Sequence, residues 1–260
     1  MIPKVIHYCW YGGKELPDLA VKCIESWKKY CPDYKIIRWD ETNTNLDEND
    51  YIREAYEAKK WAFVTDYIRL KALYEYGGIY MDTDVEVCGS LDVFLNEQAF
   101  SGFENATLIP TGIMACEKDH YFFKRLLNYY DGKHFRMSDG TYDQTTNVKT
   151  ITKIALEYGF IPNDTKQTIC DMTFYPHDYF CPKDSASGII NRTNNTVCIH
   201  HFDGSWVEEK QIALIEWKKW KKLNSKYGKL GDYIYAINKY ILHPRKLMSR
   251  LKEKIRKKKK

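Results

Sequence analysis

Residues 61–87 read WAFVTDYIRLKALYEYGGIYMDTDVEV. Ala62, Asp66, Arg69, Leu73 and Tyr76 recur at three- and four-residue steps, which predicts a helix carrying them on one face. Gly77-Gly78 supplies the left-handed residue that ends a helix at low cost. Ile79-Tyr80-Met81 has the apolar, aromatic character of a core strand. Asp82-Thr83-Asp84 then arrives where such a strand would emerge at the edge of a sheet.

A bare D-x-D is short, and acids after a strand also cap helices or line solvated turns. The context here adds to it. An Asp/Arg pair three residues apart is usually a surface ion pair. On a face otherwise made of Ala, Leu and Tyr, Asp66 and Arg69 read as a buried pair. Two carboxylates one residue apart form an expensive cluster that a hard, oxygen-seeking cation makes favourable.

Outward from this stretch, residues 4–10 (KVIHYCW) predict a first strand, followed by Gly12-Gly13 as a turn. Residues 17–30 have helical period, and residues 34–39 (YKIIRW) predict a second strand. Strand, helix, strand with short joints is the βαβ signature of a mainly parallel sheet. Ligands bind beyond strand C-termini in such sheets, which draws attention to the loop after Trp10. His7, inside the first strand, reads as a satisfied core histidine. Further strands are predicted at 99–103, 111–115 and 196–202, with helices at 51–60, 121–130, 146–158, 207–223 and 230–251. His200 and His201 end the strand at 196–202, where the plain reading is one packed and one solvated imidazole, and His201 lies nearer the following loop.

The pattern A-x-x-x-D-x-x-R-x-x-x-L-x-x-x-G-G-x-Y-x-D-x-D resembles the sugar-binding region of glycosyltransferase family 32, which includes bacterial capsule and lipopolysaccharide transferases and fungal mannosyltransferases. The glucosylating bacterial toxins are similar over the same stretch. I-P-K-x-I-H-x-x-W at residues 2–10 and H-H-x-x-G-S-W at 200–206 resemble the family's opening and closing motifs. The resemblance implies a single α/β domain with one Rossmann-like sheet, of the GT-A nucleotide-sugar transferase type, with a C-terminal helical extension. On that basis the catalytic domain spans 1–225 and the extension 226–260. It implies retaining transfer from a nucleotide-diphosphate sugar, UDP-sugar favoured, to a hydroxyl of a glycan or lipid-linked acceptor, in bacterial surface polysaccharide synthesis. The implied cofactor is Mn²⁺ or Mg²⁺, held by Asp84 and His201 with Asp82. Asp82 would also hold ribose, with Thr83 beside it, and Asp66 and Arg69 would bind the sugar and the developing phosphate charge. Trp10 would stack on the base, and Ser205 and Trp206 would close over the diphosphate. Asp66, Arg69 and Asp82 are the implied catalytic set. Two departures stand out. Thr111 or Gly112 occupies the place where family members often carry Asn, and Gln144-Thr145-Thr146-Asn147 with Thr150 replaces a G-P-x-x-[LF]-T element.

Composition bounds these readings. The 260 residues suit one domain with extensions, and 44% hydrophobic residues suffice for a core. The net charge of +5 is uneven. Residues 245–260 hold ten Lys/Arg against Glu253, or +9, so the remainder is −4 by subtraction. That localisation argues against a nucleic-acid groove. It favours contact between an amphipathic, polybasic tail and an anionic membrane surface. The eight cysteines contain no C-x-x-C pair, and residues 1–6 have no secretory apolar core. The expectation is a cytoplasmic protein with free thiols, peripheral on the inner face of the cell membrane. Two alternatives are weighed: an aspartyl-phosphate phosphatase of the haloacid dehalogenase type, which also ends a strand in D-x-D, and a non-enzymatic membrane-binding module. Against the phosphatase, Glu86 stands where Thr or Val normally follows.

Overall fold

The computed structural model describes residues 1–185 and 187–204. The chain divides into two units, Met1–Asp184 with Ile190–Trp206, and Ser185–Ile189 with Val207–Lys260. Every element below belongs to the first. The helices expected beyond residue 206, the boundary at 225/226, Ser205 and Trp206 lie outside the described residues.

The chain begins as predicted, with β1 (Val5–Cys9), α1 (Asp18–Tyr30) and β2 (Lys35–Trp39). Ala20, Cys23, Ile24 and Trp27 of α1 are buried, one stripe at helical spacing. The Trp27 indole N–H donates to the Val85 carbonyl at 2.7 Å. Burying such a ring contributes about 1.5–3 kcal/mol.

α2 (Asp50–Glu57) leads to α3 (Trp61–Tyr76), which is buried on more than one face. Asp66, Arg69 and Leu73 are buried as the periodicity predicts, whereas Tyr76 is exposed. Gly77 closes α3 with φ 66°, and its N–H donates to the Leu73 carbonyl at 2.8 Å. A Cβ on Gly77 would stand 2.7 Å from the Lys118 amide nitrogen, so crowding and backbone angle both demand glycine.

β3 (Gly78–Met81) follows at once, then β4 (Val85–Val87), β5 (Ala99–Gly102) and β6 (Ile113–Cys116). After α4 (Tyr121–Leu127) and α5 (Asn147–Glu157) come β7 (Gln167–Ile169), β8 (Met172–Tyr175), α6 (His177–Phe180) and β9 (Cys198–His200). Seven strands form one sheet in the order β2-β1-β3-β6-β5-β8-β7, and β4 pairs with β9 separately.

The sheet is mixed rather than mainly parallel. β2-β1, β1-β3 and β5-β8 are parallel, and β3-β6, β6-β5 and β8-β7 are antiparallel. The βαβ signature held for the first three strands only. β1 is flanked by β2 and β3, so the chain reverses its direction of travel there. The C-terminal ends of β1 and β3 share one edge at that switch point, where α/β sheets bind ligands.

Alternation along β3 and β6 places the core on both faces. Tyr80, Met114 and Cys116 join one apolar cluster with Val64, Leu70, Phe123 and Ile151. Ile79, Met81, Ile113 and Ala115 join another with Ile24, Trp27, Phe94 and Phe180. His7 is fully buried with both nitrogens engaged, Nδ1 accepting from the Trp39 indole and Nε2 meeting the Gly77 carbonyl. No described helix is long and apolar enough to cross a membrane.

Candidate active site

β3 delivers Asp82 to the sheet edge, and a turn closed by Val85 N–H donating to the Asp82 carbonyl at 3.0 Å carries Thr83 and Asp84 round. Thr83 is half-buried between the two acids. Beneath them lies a buried polar network. Arg69 Nη1 donates to Asp82 Oδ1 at 3.1 Å and to the Thr111 carbonyl at 2.7 Å. Its Nη2 faces Asp66 Oδ1 at 3.3 Å, and its guanidinium lies 4.7 Å from the Tyr80 ring centroid. The Tyr80 hydroxyl donates to Asp82 Oδ1 at 2.8 Å. One Asp82 oxygen therefore takes two donors.

Asp66 reaches the N-terminal end of α5. The Asn147 N–H donates to Asp66 Oδ2 at 3.3 Å, and Asn147 Nδ2 donates to the Asp66 carbonyl at 2.6 Å. The Tyr130 hydroxyl donates to Asn147 Oδ1 at 2.7 Å. Burial pushes the Asp66 carboxyl up to about 6, although Arg69 and the Asn147 N–H pull the other way. Burial disfavours a charged Arg69, but Asp82, Tyr80 and Asp66 outweigh it and raise its pKa. The segment expected to be a departure thus supplies Asn147, and Thr111 contributes its carbonyl rather than its side chain.

The histidine expectation needs correction. Asp82, Asp84 and His200 bring ligand atoms within 4.8 Å of one another, and His201 is not among them. His200 Nε2 stands 3.3 Å from Asp84 Oδ1. His201 Nε2 instead meets Glu86 Oε2 at 2.9 Å, and Lys22 reaches the same oxygen at 3.3 Å. Successive side chains of a strand point to opposite faces, so only one of two adjacent histidines can face Asp84. The β4–β9 register sets Val85 opposite His200, and Asp84, in the turn before β4 and outside the ladder, is met by His200 while His201 faces Glu86.

The returning chain also grips Asp84. The His201 N–H donates to the Asp84 carbonyl at 2.9 Å, and the Asp203 N–H donates to Asp84 Oδ2 at 2.8 Å. Burial opposes ionisation of both partners, yet Asp84 raises the His200 pKa, and His200 with the Asp203 N–H lowers that of Asp84. Glu104, after β5, also senses the cluster. Burial raises its pKa, His200 opposes this and Asp82 adds to it. Glu104 and Tyr80 were missed as site residues, although Tyr80 sits two positions before Asp82 on an alternating strand.

Trp10 follows β1 at the same sheet edge. Its N–H donates to the Trp39 carbonyl at 2.9 Å and its indole N–H to the Lys14 carbonyl at 2.6 Å. The donor set is two carboxylates and an imidazole, which suits Mn²⁺ or Mg²⁺ better than soft-metal chemistry.

Residues 17–101 match the family described as glycosyltransferase sugar-binding region containing DXD motif. Inositol phosphoceramide mannosyltransferase 3 of Schizosaccharomyces pombe is 31% identical over 130 residues, 48% of this chain and 36% of its own length. Mannosyl phosphorylinositol ceramide synthase CSH1 of Saccharomyces cerevisiae is 29% identical over 140 residues, 52% of this chain and 36% of its own length. The chain thus spans little more than a third of the length of these relatives. Among solved structures, galactosyltransferase LgtC in complex with donor and acceptor sugar analogs has TM-score 0.44 and 14% identity, covering 82% of this chain and 93% of that one.

Proposed function

We propose, from a chain whose residues 17–101 carry the DXD-containing sugar-binding region of a glycosyltransferase, that this protein moves a sugar from a nucleotide-diphosphate sugar to an acceptor hydroxyl. The observation that carries the reading is the convergence of Asp82, Asp84 and His200 beside the buried Asp66–Arg69–Asp82 network.

The transfer breaks a sugar–phosphate bond, leaving negative charge on the diphosphate and positive charge on the ring. Asp82, Asp84 and His200 would hold a divalent cation, which neutralises charge on the leaving diphosphate when bound. Arg69 cannot lose its proton and is locked by Asp82, Asp66 and Thr111, so its charge is fixed before the substrate arrives. Asp66 offers carboxylate oxygens for sugar hydroxyls. Trp10 offers an aromatic face for the base, worth about 1–3 kcal/mol. Stacking alone does not choose a base, and the preference for a UDP-sugar rests on the family resemblance, as does anomeric retention.

For the acceptor, the relatives named above are fungal, and their names carry inositol phosphoceramide in one case and mannosyl phosphorylinositol ceramide in the other. They lend no support to a bacterial surface polysaccharide setting. The reading therefore stops at a hydroxyl on a glycan or a lipid. The aspartyl-phosphate alternative needs Asp82 free to attack phosphorus, whereas its Oδ1 accepts from both Tyr80 and Arg69.

The test is donor hydrolysis across a panel of nucleotide sugars with Mn²⁺, for the wild type and Asp84→Asn. Turnover should need the cation and collapse in the variant while the fold persists. Full turnover in excess chelator, or an acyl phosphate trapped on Asp82, would overturn the proposal.

A further inference from the structure

His200 occupies a slot whose two walls come from distant parts of the chain. On one side is the Phe202 ring, with centroids 4.1 Å apart and planes 33° from parallel. Phe202 adopts φ 51°, a left-handed conformation uncommon for a bulky residue, and Asp203 follows with its N–H on Asp84. Against another part of the ring is Gly112. A Cβ there would stand 2.7 Å from both Nδ1 and Cε1 of His200 and 3.2 Å from Cγ. Gly112 is not among the residues with positive φ, so its backbone admits alanine and only the imidazole excludes it. The Gly112 carbonyl meanwhile accepts the Asp82 N–H at 2.9 Å. One residue thus touches two of the three members of the cluster.

The His200 side chain is nine-tenths buried, and its Nδ1 has no hydrogen-bond partner. Histidine ligands are commonly oriented by a hydrogen bond from the second ring nitrogen. Here Nδ1 makes no hydrogen bond of ordinary geometry, although the buried Cys181 thiol lies within electrostatic reach of the ring, and the shape of the slot carries much of the positioning.

We propose that Gly112 is a positioning residue: by lacking a side chain it lets the face of the His200 ring, over its Nδ1–Cε1 bond, lie against the strand end, which aims Nε2 at Asp84 and Asp82. This inference rests on the reading that Asp82, Asp84 and His200 bind a divalent cation. A methyl group at 112 must push the ring by several tenths of an ångström or more, because real Cβ contacts do not fall below 3.0 Å. The ring cannot retreat freely, since Phe202 stands against it.

The experiment is Mn²⁺ binding, followed by the electron paramagnetic resonance signal of the free ion, for the full chain and four variants. These are Gly112→Ala, His200→Ala, the double variant and Gly102→Ala. Gly102 is the control for crowding, because its Cβ would meet Phe180 and the Tyr175 carbonyl at 2.9 Å. Loss of an orienting contact typically weakens metal binding about 10–100-fold. Gly112→Ala should therefore bind Mn²⁺ at least about tenfold more weakly than wild type, and Gly102→Ala as wild type even if less stable. In the His200→Ala background the second change should add nothing, and the double variant should be at least as stable as Gly112→Ala. If Gly112→Ala does not fold, recovery of folding in the double variant carries the steric claim, and its failure defeats it. Unchanged Mn²⁺ affinity in Gly112→Ala, or an equal loss with and without the imidazole, overturns the proposal. Absence of Mn²⁺ binding by the wild type overturns instead the cation reading beneath it.

Discussion

Asp66→Asn should destroy function and yet strengthen the fold as pH rises. Asp66 is only 7% exposed, and burial lifts its carboxyl from the ordinary 3.8 to about 6. The folded chain therefore holds this proton more tightly than the unfolded chain. Between about pH 4 and pH 6 the unfolded chain releases it first, so folding stability falls as pH rises through that window. The whole gap is worth roughly 3 kcal/mol at about 1.4 kcal/mol per pH unit. Roughly 1 kcal/mol of it is already lost at pH 4.5. The variant has no such titration. Its amide oxygen can still accept from Asn147, and Arg69 keeps Asp82 and the Thr111 carbonyl.

The assay is urea unfolding of both proteins at matched pH, with stabilities from linear extrapolation. The difference, variant minus wild type, should grow by about 2 kcal/mol between pH 4.5 and pH 7.5 and then level off. Groups that titrate in both proteins cancel in that difference. A flat difference would show that Asp66 carries no raised pKa and that its burial is not a standing cost. A difference that grows as expected makes the carboxylate, ionised above pH 6, a strain retained for the donor sugar, the usual trade of stability against activity.

Three further outcomes are expected. His200→Ala should weaken Mn²⁺ binding at least about tenfold, while His201→Ala, whose imidazole meets Glu86, should stay close to wild type; the reverse ranking would restore His201 as the ligand. Trp10→Ala should weaken nucleotide binding by about 1–3 kcal/mol, measured by calorimetry with UDP and GDP in parallel, and an unchanged affinity for both would remove Trp10 from the base site. We also propose that residues 244–260 bind anionic vesicles, each near-surface Lys or Arg contributing about 1 kcal/mol, so that deleting them releases the protein from vesicles while donor hydrolysis continues. Equal vesicle binding with and without that segment would defeat this.

Much of the site could be read from residues 61–87, because its information is local. Helix period, the Gly-Gly stop and the alternating strand each act within a few residues, and α3 and β3 formed where that pattern placed them. What escaped was non-local. β4 has three residues and no distinctive composition, and its partner β9 comes late in the chain. Which of two adjacent histidines faces Asp84 depends on the register of that pairing, and a slip of one residue exchanges them. Asn147 was visible only as a mismatch to a family pattern. Its role comes from where the end of α5 lands relative to Asp66. The antiparallel half of the sheet was hidden for a similar reason: β5 and β6 were expected as strands but their direction beside β3 was not, and β7 and β8, which are short, were not expected at all.

The pairing of β4 with β9 also orders events in time. Asp84 and Asp203 are 119 residues apart, and the hydrogen bond between them closes a loop containing most of the folded unit. Such a loop is entropically expensive to close before the intervening sheet has condensed. During synthesis Asp82 and Asp84 leave the ribosome long before His200 does. A growing chain can therefore build β1, α3 and β3 and still possess only the carboxylate half of the Asp82–Asp84–His200 cluster. Under the proposed cation reading, catalytic competence would come only once the chain has been completed through β9, and products truncated before it would be inert however well their first strands had folded.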